Sequence, residues 1–143
     1  MSFRRILIAV DSSPIAARAA EVGVEMARTL GGEVAFVHVV DPALGYAPEG
    51  GVSPSELLAQ AELDGKRLLA MFGQRAALQL PALEFLPMGH PGTEIVKAAK
   101  DWHADVIVLG SHGRGGVTRL LLGSVAESVL RHAPCPILVV RVS

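Results

Sequence analysis

Short apolar runs alternate along this chain with longer stretches whose apolar residues recur at helical spacing. Ile6 to Val10 is the first such run, rich in β-branched residues, and reads as a strand. Ser13-Pro14 then opens a helix, with serine in the capping position and proline in the first turn. Ala16, Ala20, Val24, Ala27 and Leu30 fall on its inward stripe, and Gly31-Gly32 ends it. Val34 to Val40 reads as the second strand. Asp41 to Val52, rich in proline and glycine, reads as an exposed, mobile loop. Ser53-Pro54-Ser55-Glu56 has the form of a capping box. A second helix is expected from there to about Leu78, with Leu57, Ala61, Leu68, Phe72 and Ala76 inward. Leu83 to Met88 reads as the third strand, although it carries a proline and a glutamate. The third helix starts at Pro91 or Gly92 and buries Ile95, Ala99 and Trp102. Asp105 to Leu109 is the fourth strand. The fourth helix follows Gly123 with Val125 and Val129 inward, and Ile137 to Val142 is the fifth strand.

Alternating strands and helices imply an α/β fold: an open, parallel, Rossmann-like sheet with helices on both faces. In such sheets ligands bind beyond the carboxyl ends of the strands, where the strand order reverses. No repeat, low-complexity tract or linker interrupts the pattern, so residues 1–143 read as one domain. Half of the residues are hydrophobic, mainly Ala, Val, Leu and Ile, which suits buried parallel strands.

The stretch from Gly110 to Ser124 carries the most chemistry. It joins a buried-looking strand to a short amphipathic helix through a glycine-rich turn. Glycine lets several backbone N–H groups point one way and lets an anion come close. The next helix adds unpaired N–H groups and a positive dipole end. Arg114 and Arg119 supply charge, and Ser111, Thr118 and Ser124 supply hydroxyls. These residues fit a nucleotide phosphate site. They also fit a plain surface turn with Ser124 capping a helix, and composition alone does not separate the two. There is no G-x-x-x-x-G-K-[ST], and the G-x-G-x-x-G spacing is missing too.

Gly110, Gly113, Gly123 and Ser124 do fit G-x2-G-x9-G-[ST]. With that spacing, the chain resembles the ATP-binding branch of the universal stress protein family. Ile6-Leu7-Ile8-Ala9-Val10-Asp11-Ser12-Ser13 resembles the family's first strand and its terminal aspartate. Val37-His38-Val39-Val40 and Gly89-His90-Pro91-Gly92-Thr93-Glu94-Ile95 resemble its second strand and the start of its third helix. The stretches from Ala104 to Gly113 and from Ala133 to Val140 complete a resemblance that runs through essentially the whole chain in order.

That resemblance implies the strand order 3-2-1-4-5, with the reversal between strands one and four. Asp11 and Gly110 then meet at the crevice. Asp11 would accept a hydrogen bond from a ribose hydroxyl; it equally fits a cap for the first helix. Ala9, Val10 and Val39 would pack against adenine and offer backbone groups to its edge, or be plain core. Leu109, Gly110 and Gly113 would bring backbone close to ribose and α-phosphate. Gly123, Ser124 and Val125 would present N–H groups to the outer phosphates. Arg114 would add charge, or simply be solvated. The family often has a hydroxyl residue where this chain has Ala126, so one contact is absent. His112 could approach the phosphates. ATP is the expected ligand; magnesium could accompany it, held mostly by nucleotide oxygens and water.

No phosphate-loop lysine, carboxylate pair or evident base is present, so nucleotide binding is favoured over turnover. An enzyme transferring adenylyl or phosphoryl groups, or hydrolysing ATP slowly, is the alternative; a nucleotide-free interaction protein is a third reading. The formal charge of −1 opposes general nucleic-acid binding. No apolar run reaches membrane-span length, and Asp11 breaks the one that follows Arg4-Arg5, so neither an anchor nor a signal peptide is expected. The single cysteine, Cys135, fits a reducing cytoplasm and reads as a small buried residue. The histidines are scattered, so a protein-built zinc site is not expected. The apolar fifth strand, at a sheet edge by resemblance, predicts a two-fold homodimer through strand 137–142, unless the mobile loop shields it.

Overall fold

The computed structural model describes residues 2–43, 51–112 and 122–141. The element order is β1 (Arg5–Ala9), α1 (Pro14–Leu30), β2 (Glu33–Val37), α2 (Pro54–Ala76), β3 (Ala82–Phe85), α3 (Pro91–Trp102), β4 (Val106–Gly110), α4 (Ser124–His132) and β5 (Ile137–Val140). The strands form one sheet in the order β3-β2-β1-β4-β5, and every pairing is parallel. The fold class and strand order are therefore those expected.

The alternation of side chains along each strand divides the core in two. Ile6, Ile8, Val34, Phe36, Val106 and Val108 face α1 and α2. Leu7, Ala35, Val37, Ile107 and Leu109 face α3 and α4. Phe36 is fully buried and stacks on Phe72 of α2 with ring centroids 5.7 Å apart. Burying a ring of that size is worth about 1.5–3 kcal/mol. On the other face Phe85 meets Trp102 edge-on at 6.1 Å.

Several local expectations shift. Ser13 occupies the N-cap position of α1 but its side chain makes no cap hydrogen bond. Ser53 does cap α2, with its hydroxyl accepting from Glu56 N–H at 3.2 Å. Leu30 is exposed, because α1 runs antiparallel to β1 and its last turn passes the start of that strand. Gly31 ends the helix in the left-handed conformation, with φ of 68°. In α2 the buried stripe is Gly65, Leu69, Phe72 and Ala76, while Leu57, Ala61 and Leu68 are half-buried. Gly65 lies closest to the strand ends: a Cβ there would stand 2.7 Å from Leu86 Cδ1, so a larger residue would have to push that side chain aside. Trp102 is half-buried rather than buried. β2 and β3 end at Val37 and Phe85, followed by one bridge between Val40 and Met88. The expected loop is only partly described, since 44–50 lie outside the described residues, as does Val142 of the expected fifth strand.

The pairing pattern creates a crevice. β1 pairs with β2 as far as Ala9–Val37, but with β4 only as far as Ile8–Val108. β4 continues beside β5 to Gly110–Val140. Beyond Ile8, β1 and β4 therefore lean on different neighbours and part at their carboxyl ends, where the connections leave toward opposite faces.

Candidate nucleotide site

A cavity of about 140 Å³ lies at this parting. Its walls come from both strand ends and from three helices. Ala9 ends β1 and Val10 and Asp11 follow it, Val39 follows β2, and Leu109 and Gly110 end β4. Pro91 and Ile95 come from α3, Val125 and Ala126 from α4, and Ile15 and Ala16 from α1. The walls are mainly apolar, and a closed apolar cavity of about 150 Å³ takes a benzene-sized ring. Asp11 is the one carboxylate among the described residues lining it, and no lysine or arginine joins it there.

Asp11 is held by a tight local turn. Its Oδ1 accepts from Ser13 N–H at 2.8 Å and also from the Ser13 hydroxyl. This diverts Ser13 from capping α1 and fixes the carboxylate at the mouth of the cavity. No described residue donates to Oδ2, which leaves that oxygen for a ligand hydroxyl.

Backbone groups are also left over. Val10 N–H donates to Val37 C=O at 2.9 Å, and Val40 N–H to Pro87 C=O at 2.9 Å. Between them, neither the N–H nor the C=O of Val39 hydrogen-bonds to any described residue. A donor and an acceptor from one residue thus stand free at the cavity wall.

At the far side, Ser111 is 5 % exposed and secures the end of β4. Its N–H donates to Val140 C=O at 2.8 Å, and its C=O accepts from Gly123 N–H at 2.7 Å. That second bond clasps the two ends of the glycine-rich connection. It sets the start of α4 beside the end of β4. α4 begins without a side-chain cap. Its first N–H groups, at Ser124, Val125 and Ala126, have no intrahelical partner and carry the positive end of the helix dipole. The Ser111 hydroxyl lies 3.0 Å from Nδ1 of His112, which also lines the cavity.

Seven of the eleven residues singled out from sequence line this one hollow: Ala9, Val10, Asp11, Val39, Leu109, Gly110 and Val125. Gly123 and Ser124 do not line it; they stand at the start of α4, in the same turn as Val125 and Ala126, which do. Gly113 and Arg114 lie outside the described residues. Gly110 has a second use, since a Cβ there would stand 2.6 Å from Ile15 Cγ2. Sequence reasoning missed Pro91 and Ile95. A helix whose first turn faces the carboxyl ends of the strands was the available signal. It also missed His38, which lines the cavity and bonds to the strand beside it. Among the described residues, no group of histidine, cysteine and carboxylate side chains could hold a metal ion. Cys135 is half-buried rather than buried; burial, with a smaller push from the Asp105 charge, holds its thiol above the usual range, against thiolate chemistry.

Comparison with known proteins gives a consistent result. The family model described as the universal stress protein family matches residues 2–141. A universal stress protein of Methanocaldococcus jannaschii is 35 % identical over 142 residues, covering 97 % of this chain and 82 % of the relative. The structure of the universal stress protein UspA from Lactobacillus plantarum aligns with a TM-score of 0.87 at 29 % identity, covering 99 % of each chain. The universal stress protein from Archaeoglobus fulgidus in complex with dAMP aligns with a TM-score of 0.68 at 26 % identity, covering 97 % of this chain and 98 % of that one.

Proposed function

The chain belongs to the universal stress protein family, and we propose that it binds ATP at the crevice between β1 and β4 and holds it without rapid turnover, as a nucleotide-dependent stress-response or signalling module. The observation that carries this reading is the unpaired N–H and C=O of Val39 beside an apolar, ring-sized hollow. Adenine presents an acceptor and a donor side by side on one edge, which matches that pair. Its faces suit walls built from Ala9, Leu109, Ile95 and Val125. The dAMP held by the Archaeoglobus fulgidus relative supports an adenine nucleotide as the ligand class.

The other contacts follow from position. Asp11 Oδ2 accepts from a ribose hydroxyl. The free N–H groups at the start of α4 receive phosphate oxygens, with the Ser124 hydroxyl and Gly123 beside them. Gly113 and Arg114, with Gly110, complete the phosphate side on the sequence spacing. Magnesium travels with the phosphates on nucleotide oxygens and water. No helix among the described residues is long and apolar enough to cross a membrane, and the single cysteine fits a reducing cytoplasm, where we place the protein. β5 is an edge strand, and Leu138 on it and Leu130 on α4 are exposed. A homodimer through β5 covers them. Sedimentation that yields only monomer at micromolar concentration refutes the dimer.

Calorimetric titration with ATP tests the site, using wild type and Ser124→Glu. A glutamate in the first turn of α4 suits the helix dipole but repels an anion there. The variant should lose at least about tenfold in ATP affinity. Equal affinity in the two proteins defeats the placement of the phosphates. Fast magnesium-dependent release of phosphate by wild type would instead make the protein an enzyme.

A further inference from the structure

We infer that His38 is a positioning residue for base recognition: its ring occupies the Val10 carbonyl and so keeps the Val39 N–H out of the sheet and available to a ligand. The inference rests on the reading of the site as an adenine pocket.

Parallel pairing sets what should happen at the end of β2. Val10 N–H donates to Val37 C=O at 2.9 Å. In a parallel ladder the next rung runs from the residue two further on, Val39 N–H, to Val10 C=O. That rung is absent among the described residues. The Val10 carbonyl is instead 2.9 Å from Nδ1 of His38. A carbonyl only accepts, so Nδ1 carries the proton and donates. A side chain bonds the carbonyl that the neighbouring backbone amide would use, and that amide makes no bond to it.

The ring has room for this because of α2. Phe36 faces α2 and Val37 faces α3, so His38 points to the α2 side and Val39 to the cavity side. A Cβ at Gly65 of α2 would stand 3.0 Å from His38 Cδ2. Glycine at that position leaves the imidazole room beside α2 while it reaches back to Val10. The N–H and C=O of a strand residue point to the same side. Val39 therefore aims both groups toward the parted end of β1, where the cavity opens. His38 also lines the cavity, but its proposed part in base recognition runs through the Val39 N–H.

Two variants separate this role from ordinary structural support. His38→Leu keeps bulk beside Gly65 but removes the donor. His38→Asn keeps an N–H donor on the atom beyond Cγ. The first measurement is amide hydrogen exchange at Val39 in nucleotide-free protein, followed by NMR. Exchange should be fast in wild type and in His38→Asn, and at least about tenfold slower in His38→Leu, as the Val39–Val10 rung closes. The second is calorimetry with ATP and with ribose 5-triphosphate, which has no base. His38→Leu should bind ATP about tenfold more weakly. His38→Asn should stay within about twofold of wild type, and all three proteins should bind the base-free triphosphate alike. Unchanged Val39 exchange in His38→Leu overturns the inference, whatever ATP does. An equal loss of ATP and the base-free triphosphate overturns it too, because the damage is then not confined to the base edge. A wild-type protein that binds no adenine nucleotide defeats the functional reading, while the exchange result still decides whether His38 holds the rung open.

Discussion

The two ends of the sheet are built on opposite principles. At the amino end, where β1, β2 and β4 begin, polar groups are paired across elements. Asp105 Oδ2 accepts from the N–H groups of Arg4 and Arg5 at 2.9 and 2.8 Å. Glu33 N–H donates to Arg4 C=O at 2.6 Å, and Asp105 N–H to Arg5 C=O at 2.8 Å. The Arg5 guanidinium bonds Trp102 C=O at 2.8 Å, lies over the Trp102 ring and pairs with Glu33. At the carboxyl end, the Val39 backbone, one Asp11 oxygen and the first turn of α4 have no described partner. Buried or half-buried polar groups are normally satisfied, and the unmet ones at this end are those to which the proposed nucleotide would bond. The same sheet is fastened at one end and left receptive at the other.

Substitutions at the two ends should therefore separate stability from binding. The largest effect is expected from Gly32→Ala at the fastened end. A Cβ there would stand 2.1 Å from the Arg4 carbonyl oxygen, a backbone atom that cannot swing aside. A loss of about 3 kcal/mol, or about 10 °C in Tm, is expected in thermal unfolding. A change below about 2 °C would show that this end is looser than its bonds imply.

Asp105→Asn comes next, with a drop of about 3 °C at neutral pH. The N–H of Arg5 holds the Asp105 carboxyl below its ordinary range; burial opposes it, and the Arg4 N–H and the Arg5 charge add smaller pulls in the same direction as Arg5 N–H. A folded-state pKa that is lowered stabilises the protein above the unfolded value of about 3.9. That contribution fades as pH falls through the folded pKa. The gap between wild type and Asp105→Asn should close in acid, and a gap that widens there would break the comparison.

Smallest of all should be Ser124→Glu at the receptive end. The side chain is exposed, and an acid in the first turn suits the helix. Its Tm should stay within about 2 °C of wild type while ATP binding falls. A large loss of stability would mean that the start of α4 is part of the fastening after all.

Much of this arrangement was legible in the residues. Periodicity located every strand and helix; the short Val, Ile and Leu runs fit buried parallel strands, while the third strand, Ala82–Phe85, is less apolar and its bounds shifted. The resemblance then drew Asp11 and Gly110 to one crevice, and the structure sets both on the wall of the same cavity. Pairings between distant residues were not legible. His38 and Val10 are 28 positions apart, and nothing in an apolar strand sequence says which carbonyl a histidine will take. Ser13 was read as a cap because serine before proline fits one. Asp11, two residues earlier, competes for the same hydroxyl and wins. Leu30 keeps the helical spacing of its neighbours, but where α1 outruns the sheet cannot be seen without the strand ends.

The bond from Gly123 N–H to Ser111 C=O has a consequence for how such a protein can change. It ties the chain at the base of the connection, so the anchorage of α4 does not depend on what lies between. Each doubling of a flexible loop adds only about 0.6 kcal/mol of closure entropy. Substitutions between the spaced glycines can thus change the side chains offered to a ligand while the helix keeps its footing.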